Sequence, residues 1–402
     1  MRKSGGNAEL RFFTASALSL GLLRIAISSN QQIATRAEFR ESTSRATIRC
    51  ATATVGSGGQ TVGVTLSITV ITETFNHAEG QSWSRVADAI DAAISAAEGF
   101  DDGTHDGPNR VLVIDASNDD RTQSLLASRQ ATTTVSLRHL RVPADTPYDV
   151  VKDLGALEAT SGVVAYLDGD CSPVGDSSAW LRALFVELAS TGAPGVCGTT
   201  IYEGTSAVRR ACSAMDFGFV LHRKDRVLGS YTSNNAMFRR EVRANKHADV
   251  DGLRCACYLH AQEFLRSGTP MLHARSVDAL VHHEFPPLWE ERFRRGYDAV
   301  AVSWTDPSLF EAKCFRRNRF IAATVGVARY MVSSVRLDAR VIIDLQHYQP
   351  IPRIRVGGAI ALVPLLRCID AIGIWRALFF GPNPRWRHTV TCDQVTNSFL
   401  AE

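Results

Sequence analysis

No Cys-x-x-Cys pair occurs among the nine cysteines, and none of their spacings suits a structural zinc site. Scattered thiols of this kind fit a reducing compartment, where most act as small core residues. No glycine-rich fingerprint follows a strand. Gly56-Ser57-Gly58-Gly59 precedes one, which excludes a dinucleotide fingerprint or a P-loop there and leaves a flexible linker. No uninterrupted apolar run reaches the roughly 20 residues of a bilayer-spanning helix. The nearest, Val356–Phe380, is broken by Arg367 and Asp370 and carries Pro364, which is expected to bend it. A large excess of one charge is also missing. The net charge is +3 over 402 residues, too little for a general nucleic-acid binder, and no nucleic-acid partner is expected.

What is present is a chain that can bury a sizeable core, with 45% hydrophobic and 21% charged residues. Its charge is unevenly spread. Residues 1–65 carry +5, 66–312 carry −10, 313–388 carry +10 and 389–402 carry −2. An acidic body followed by a basic, apolar tail reads as a body with a surface-seeking appendage, or as a basic helical face that caps the body. Arg353, Arg355, Arg367 and Arg376 suit a helix lying on anionic lipid, so peripheral membrane contact through 313–388 is expected over spanning. The alternative is an ordinary buried helix. At the other end, Phe12–Ser28 is only superficially like a signal peptide, because Arg24 interrupts it and Glu9 and Arg11 precede it. Residues 1–64 read as a poorly ordered extension; a start codon placed too far upstream would give the same composition.

From Leu66 the texture alternates. Leu66–Ile71 is β-rich and ends in a polar turn, Thr72–Gly80. Trp83, Val86, Ile90 and Ile94 recur at helical spacing. Val111–Asp115 is a short apolar run of the kind buried on both faces of a sheet. Thr133–Leu140 reads as strand, Pro147–Ala159 as helix, Val163–Asp168 as strand, and a helix carrying Trp180 and Leu184 follows. Strand–helix alternation predicts an α/β sandwich with a mainly parallel central sheet. Ligands of such sheets bind outside the carboxyl ends of the strands. Three candidate strands end there in carboxylate or polar residues: Thr72-Glu73, Asp115 and Asp168.

The sharpest local feature is Asp168-Gly169-Asp170 after VVAYL. Residues two apart at a strand end point the same way, so two carboxylates there can face one cation. Hard oxygen ligands suit magnesium or manganese, which can bridge a diphosphate and neutralise a departing phosphate. Gly169 is expected to let the backbone turn between them. An Asp-Gly turn with solvated carboxylates is the plain alternative.

These residues, in order, resemble the family 2 glycosyltransferases of GT-A fold. The strand and loop LSITVITETFNHAEG place Thr72, Glu73, Thr74 and Asn76 where the family receives its nucleotide. Asp115 stands where the family contacts the nucleobase, and Asp168 and Asp170 stand at its DxD. Gly229–Val242, with Asn234 and Asn235, matches the acceptor-side segment. Gly268, Ala274 and Val281-His282-His283 follow in order, then Phe293-Arg294-Arg295-Gly296. The resemblance spans roughly 66–297. It implies a GT-A-like glycosyltransferase domain over 65–312 with a helical C-terminal appendage over 313–402. It also implies a nucleotide-sugar donor, an inverting reaction and a divalent metal held by Asp168 and Asp170, with His282 as a further candidate ligand. Arg295, with Arg292 and Arg294, is a candidate to clamp diphosphate oxygens, or lies on a basic solvent-facing helix.

One departure stands out. The family's Glu-Asp pair, which carries the catalytic base, is missing ahead of Gly268. An inverting transfer needs a group within hydrogen-bond reach of the acceptor hydroxyl. Glu263, His260 and Asp251 are the candidates, the first two sharing a face of a predicted helix. The acceptor is open, with lipid-linked or cell-envelope glycans in keeping with the basic tail, and the expected location is cytoplasmic, at the inner face of a membrane. Two alternatives stand beside this reading. A non-catalytic glycosyltransferase-like binding protein would account for the missing pair. A sugar nucleotidyltransferase would need a glycine-rich basic loop after the first strand, and TETFNHAEG has no Lys or Arg.

Overall fold

The structure, a computed structural model, describes residues 67–74, 82–100, 109–222, 225–244, 257–305 and 307–381. The N-terminal extension, Asn76 and Asp251 lie outside them. The described residues all belong to one compact unit, Gly63–Glu402.

Seven strands form the main sheet in the order β3-β2-β1-β4-β8-β6-β9. Strands β1 (Ile68–Glu73), β2 (Arg110–Asp115), β3 (Ser136–Arg141) and β4 (Val163–Leu167) run parallel. Strand β8 (Asn235–Arg239) is antiparallel to β4 and to β6 (Gly195–Cys197), and β6 runs parallel to β9 (Leu272–His273). A second sheet holds β5 (Cys171–Pro173), β10 (Leu280–His283) and β7 (Thr199–Tyr202). The sheet is mainly parallel, as expected.

Alternation along the strands builds two cores. Ile68, Val70, Val111 and Val113 face helices α1 (Trp83–Glu98) and α4 (Ser177–Thr191). Ile71, Leu112 and Ile114 face α3 (Tyr148–Glu158) and α6 (Cys257–Arg266). Helix α2 (Arg121–Gln130) joins β2 to β3 and buries Leu126 against the first core. A helix and its sheet must each cover one apolar face, and three layers do so here. The Asp176 side chain caps α4 by accepting from the Ser178 N–H, and Gly192 ends it in the left-handed region at φ 64°.

Helix α5 (Ala207–Phe217) starts the C-terminal half, followed by α7 (Leu288–Thr305), α8 (Arg319–His347) and α9 (Arg353–Phe380). By length and composition alone, α8 and α9 are apolar enough to cross a membrane. They are nevertheless fixed to the body. Where α7 and α9 cross, a Cβ on Gly296 would sit 1.9 Å from the Asp370 carbonyl oxygen, and one on Gly373 would sit 2.0 Å from that of Phe293. Two glycines therefore let the helix backbones touch. Pro364 does not end α9: it is exposed, so water can take the carbonyl that its missing N–H leaves unbonded.

His273 on β9 is buried, shares a hydrogen bond with the Thr199 hydroxyl at 2.9 Å, and is pushed down by that burial, with Arg275 and Arg226 nearby, to about 3. The unfolded chain takes up this proton near 6.5, the folded chain only near 3. Stability from this group is therefore complete above pH 6.5 and is lost as the pH falls toward 3. Between pH 7 and pH 5 the loss should be about 2 kcal/mol. Urea midpoints at both pH values check it: the drop should shrink in His273→Gln, and an equal drop in both proteins refutes it.

Candidate active site

The carboxyl ends of β1, β2 and β4 lie side by side in the sheet and present the polar residues picked out by the sequence. Asp115 closes β2 and is fully buried. Thr74 donates to its Oδ1 at 2.8 Å, the Ser117 N–H donates to the same oxygen at 3.0 Å, and His139 Nε2 lies 3.0 Å from Oδ2. Burial works to raise this carboxyl, but the bonds from Ser117, His139 and Thr74 outweigh it and hold it below its ordinary value. Thr72 is buried within β1, and its hydroxyl has no hydrogen-bond partner among the described residues.

Asp168 follows β4 and meets two residues that sequence reasoning passed over. Lys152 donates to its Oδ1, and the Tyr148 hydroxyl donates to its Oδ2 at 2.5 Å. Tyr148 and Lys152 lie one turn apart on α3, and Lys152 Nζ is also 3.9 Å from Glu73 Oε1. The signal was available: a lone lysine sits beside Val151 and Leu154 on a buried helix. Gly169 is required by contact, not by turn geometry, since a Cβ there would lie 2.3 Å from the Glu73 carbonyl oxygen.

Asp170 and His283 face one another. His283 Nε2 is 3.2 Å from Asp170 Oδ2, and His283 Nδ1 donates to the Glu284 carbonyl at 2.6 Å. A carbonyl only accepts, so Nδ1 carries a proton, and Nε2 faces the carboxylate either with a second proton or with a lone pair. Asp170 Oδ2 is buried with no hydrogen-bond partner among the described residues. Such an arrangement is satisfied by a second ring proton or by a cation seated between the two atoms. Asp170, Cys171 and His283 have ligand atoms within 4.8 Å of one another. The Cys171 thiol already points at Asp170 Oδ1, 3.4 Å away.

The strand period separates the two histidines of β10. His283 reaches Asp170, whereas His282 faces Glu203 and Arg85, whose opposed charges act on it. Of the two, His283 and not His282 lies beside Asp170. The paired asparagines divide too. Asn234 lines the cavity and accepts from the Thr200 hydroxyl at 3.0 Å. Asn235 is fully buried; it accepts from Trp180 Nε1 and donates to the Thr199 and Ala279 carbonyls, each at 2.9 Å. Its amide is spent holding α4 and β7 against β8.

The cavity is lined by Asp168, Asp170, Asp216, Tyr231, Arg294 and Arg295 among others. Arg295 Nε donates to Glu291 Oε1 at 2.8 Å and lies 3.3 Å from Asp216 Oδ1. Of the base candidates, His260 is buried on α6 behind Tyr231, whose hydroxyl is 3.1 Å from His260 Nδ1. Glu263 is exposed and does not line the cavity. Cys257, at the start of α6, is disulfide-bonded and not one of the free core thiols.

No family model matches the chain, and no curated protein matches it. Solved structures do. A mannosyltransferase from Pyrobaculum calidifontis, solved with GDP-Man and Mn2+, is 15% identical, with 79% of this chain and 88% of that chain covered and a TM-score of 0.50. TarS from S. aureus is 13% identical, with 80% of this chain and 93% of that chain covered and a TM-score of 0.36. The first likeness shows the fold alone: a GT-A-like α/β architecture with a mainly parallel central sheet.

Proposed function

We propose that the chain is a metal-dependent glycosyltransferase that moves a sugar from a nucleotide-diphosphate donor to an acceptor hydroxyl. The observation that carries this reading is the buried Asp170 Oδ2, without a hydrogen-bond partner among the described residues and facing His283 Nε2, in a cavity at the carboxyl ends of a GT-A-like sheet. Asp170 and His283 would hold the ion; an oxygen and an imidazole suit manganese better than the neighbouring thiol does. A bound divalent cation supplies charge neutralisation at the leaving diphosphate. Thr74, Asp115 and Glu73 shape the donor end, Asp168 is positioned by Lys152 and Tyr148, and Arg294 and Arg295 face the cavity with donors for phosphate oxygens.

The acceptor's proton needs a base. His260 is linked to the cavity-lining Tyr231 by a hydrogen bond to its hydroxyl, and we take His260 as the first candidate base. Asp251 and Glu263 are the other two candidates. Inversion at the anomeric carbon, a cytoplasmic site facing the membrane and a lipid-linked or envelope acceptor belong to the same proposal.

Calorimetric titration of the full chain with UDP, GDP and dTDP, each with and without manganese, tests it. One nucleotide should bind, and only with metal. Absence of binding by well-folded protein overturns the reading. Binding without donor hydrolysis or transfer to any acceptor would instead make the chain a non-catalytic nucleotide-binding protein.

A further inference from the structure

The outer faces of α8 and α9 are apolar where surface helices are ordinarily polar. Phe320 is 61% exposed, Val325 63%, Leu365 65% and Phe380 74%, with Ile372, Trp375 and Phe379 also exposed. These side chains are one surface: Phe320 and Phe379 have ring centroids 5.9 Å apart, and Trp375 Nε1 donates to the Ala323 carbonyl at 2.7 Å. Contiguous apolar surface of this kind marks an interaction site.

Its charge says what covers it. Between residues 313 and 381 the acidic residues are Asp338, Asp344 and Asp370. Asp338 and Asp370 are buried on Arg367, so Asp344 is the one exposed carboxylate in the stretch. Arg316, Arg317 and Arg319 are exposed at the start of α8. The guanidinium of Arg319 lies over the Phe320 ring at 5.5 Å, and that of Arg376 over the Phe380 ring at 4.7 Å. Phe320 and Phe380, the two most exposed aromatics of this face, therefore each carry a cation beside them, as suits a ring entering acyl chains under a phosphate layer. A second copy of this basic patch would be repelled.

The same helices do not leave the body to span a bilayer. Arg367 is clamped by Asp338 at 2.8 Å and 3.0 Å and by Asp370 at 2.8 Å, and Asp370 Oδ1 is 3.7 Å from Arg292 of α7. Pulling α9 into hydrocarbon would bury Arg367 and Asp370 in lipid and strip Arg292 of a partner.

We infer that the outer face of α8 and α9, from Phe320 and Val325 to Trp375 and Phe380, seats the protein on the surface of an anionic bilayer without crossing it. This deepens the membrane-facing part of the proposed reading by naming the surface and the lipid charge, and it does not rest on the nucleotide site. Flotation of the full chain with vesicles of phosphatidylcholine, with and without phosphatidylglycerol, tests it. Partition onto the anionic vesicles should exceed that onto the neutral ones and weaken as salt is raised. The double variant Phe320→Glu/Phe380→Glu should lower partition roughly tenfold or more at an unchanged urea midpoint, because both side chains are exposed in the folded state. No flotation by folded wild type, equal flotation by the variant, or a dimer that the variant dissociates would each overturn it. Nucleotide titration in the absence of vesicles is unaffected by any of these outcomes, so the two proposals fail separately.

Discussion

Asp170→Asn is expected to abolish manganese-dependent nucleotide binding while leaving the fold about as stable as before. The buried Oδ2 of Asp170 lacks a hydrogen-bond partner among the described residues and faces His283 Nε2 at 3.2 Å. An amide of the same shape can donate to Nε2 of a neutral His283, a hydrogen bond worth about 1 kcal/mol. The charge that attracts a cation is gone. A cation held by Asp170 and His283 would offset several kcal/mol of developing negative charge, so residual transfer should be lower by at least about 10²–10³-fold. His283→Gln should weaken metal binding in the same direction. His282→Gln should change neither metal binding nor rate, since His282 faces Glu203 and Arg85. Calorimetry with manganese, donor-hydrolysis rates and urea midpoints read all three variants. An Asp170→Asn protein that still binds nucleotide only with manganese would remove Asp170 from the metal site.

The fold was legible because its signals are local. A buried parallel strand is a short apolar run, and β1, β2 and β4 were readable as such; α1 and α4 showed one apolar stripe each. Asp115 and Asp168 were legible as strand ends because each closes or follows a short apolar run, whereas Asp170 lies in the turn beyond β4 and meets its own partners. Side-chain direction at β10 was not legible. Two adjacent histidines look equivalent in sequence, and only the pairing of His283 with Cys171 on β5 decides which one meets Asp170. The asparagine pair hid its division in the same way. Lys152 was missed because its partner lies sixteen residues away, on the far side of a loop and a strand. The C-terminal helices were readable as helices. Their seat was not, because it rests on two glycines and a set of buried charges that come together only in three dimensions.

Arg292→Met should cost the fold about 3–5 kcal/mol, although the sequence grouped this residue with Arg294 and Arg295 as a phosphate clamp. Those two line the cavity, whereas Arg292 is fully buried, donating to Asp216 and lying 3.7 Å from Asp370. Burial works to raise Asp216, but Arg292 and Arg295 outweigh it and hold it below its ordinary value, with the Tyr202 hydroxyl donating at 2.9 Å. Methionine fills the volume but leaves that carboxylate facing half of its former positive charge. Protonation is the escape, and it caps the penalty at about 1.4 kcal/mol for each unit by which the carboxyl must be lifted to ambient pH. The loss should therefore shrink as pH falls. Adding Asp216→Asn to the variant removes the stranded charge, and the double variant should recover most of the stability, because a buried pair replaced on both sides costs far less than one broken on one side. Urea midpoints for the two single variants and the double one complete the cycle. Strict additivity would mean that Arg292 and Asp216 stabilise the crossing of α7, α5 and α9 independently, and that the charges inside it are not what fixes the C-terminal helices to the body.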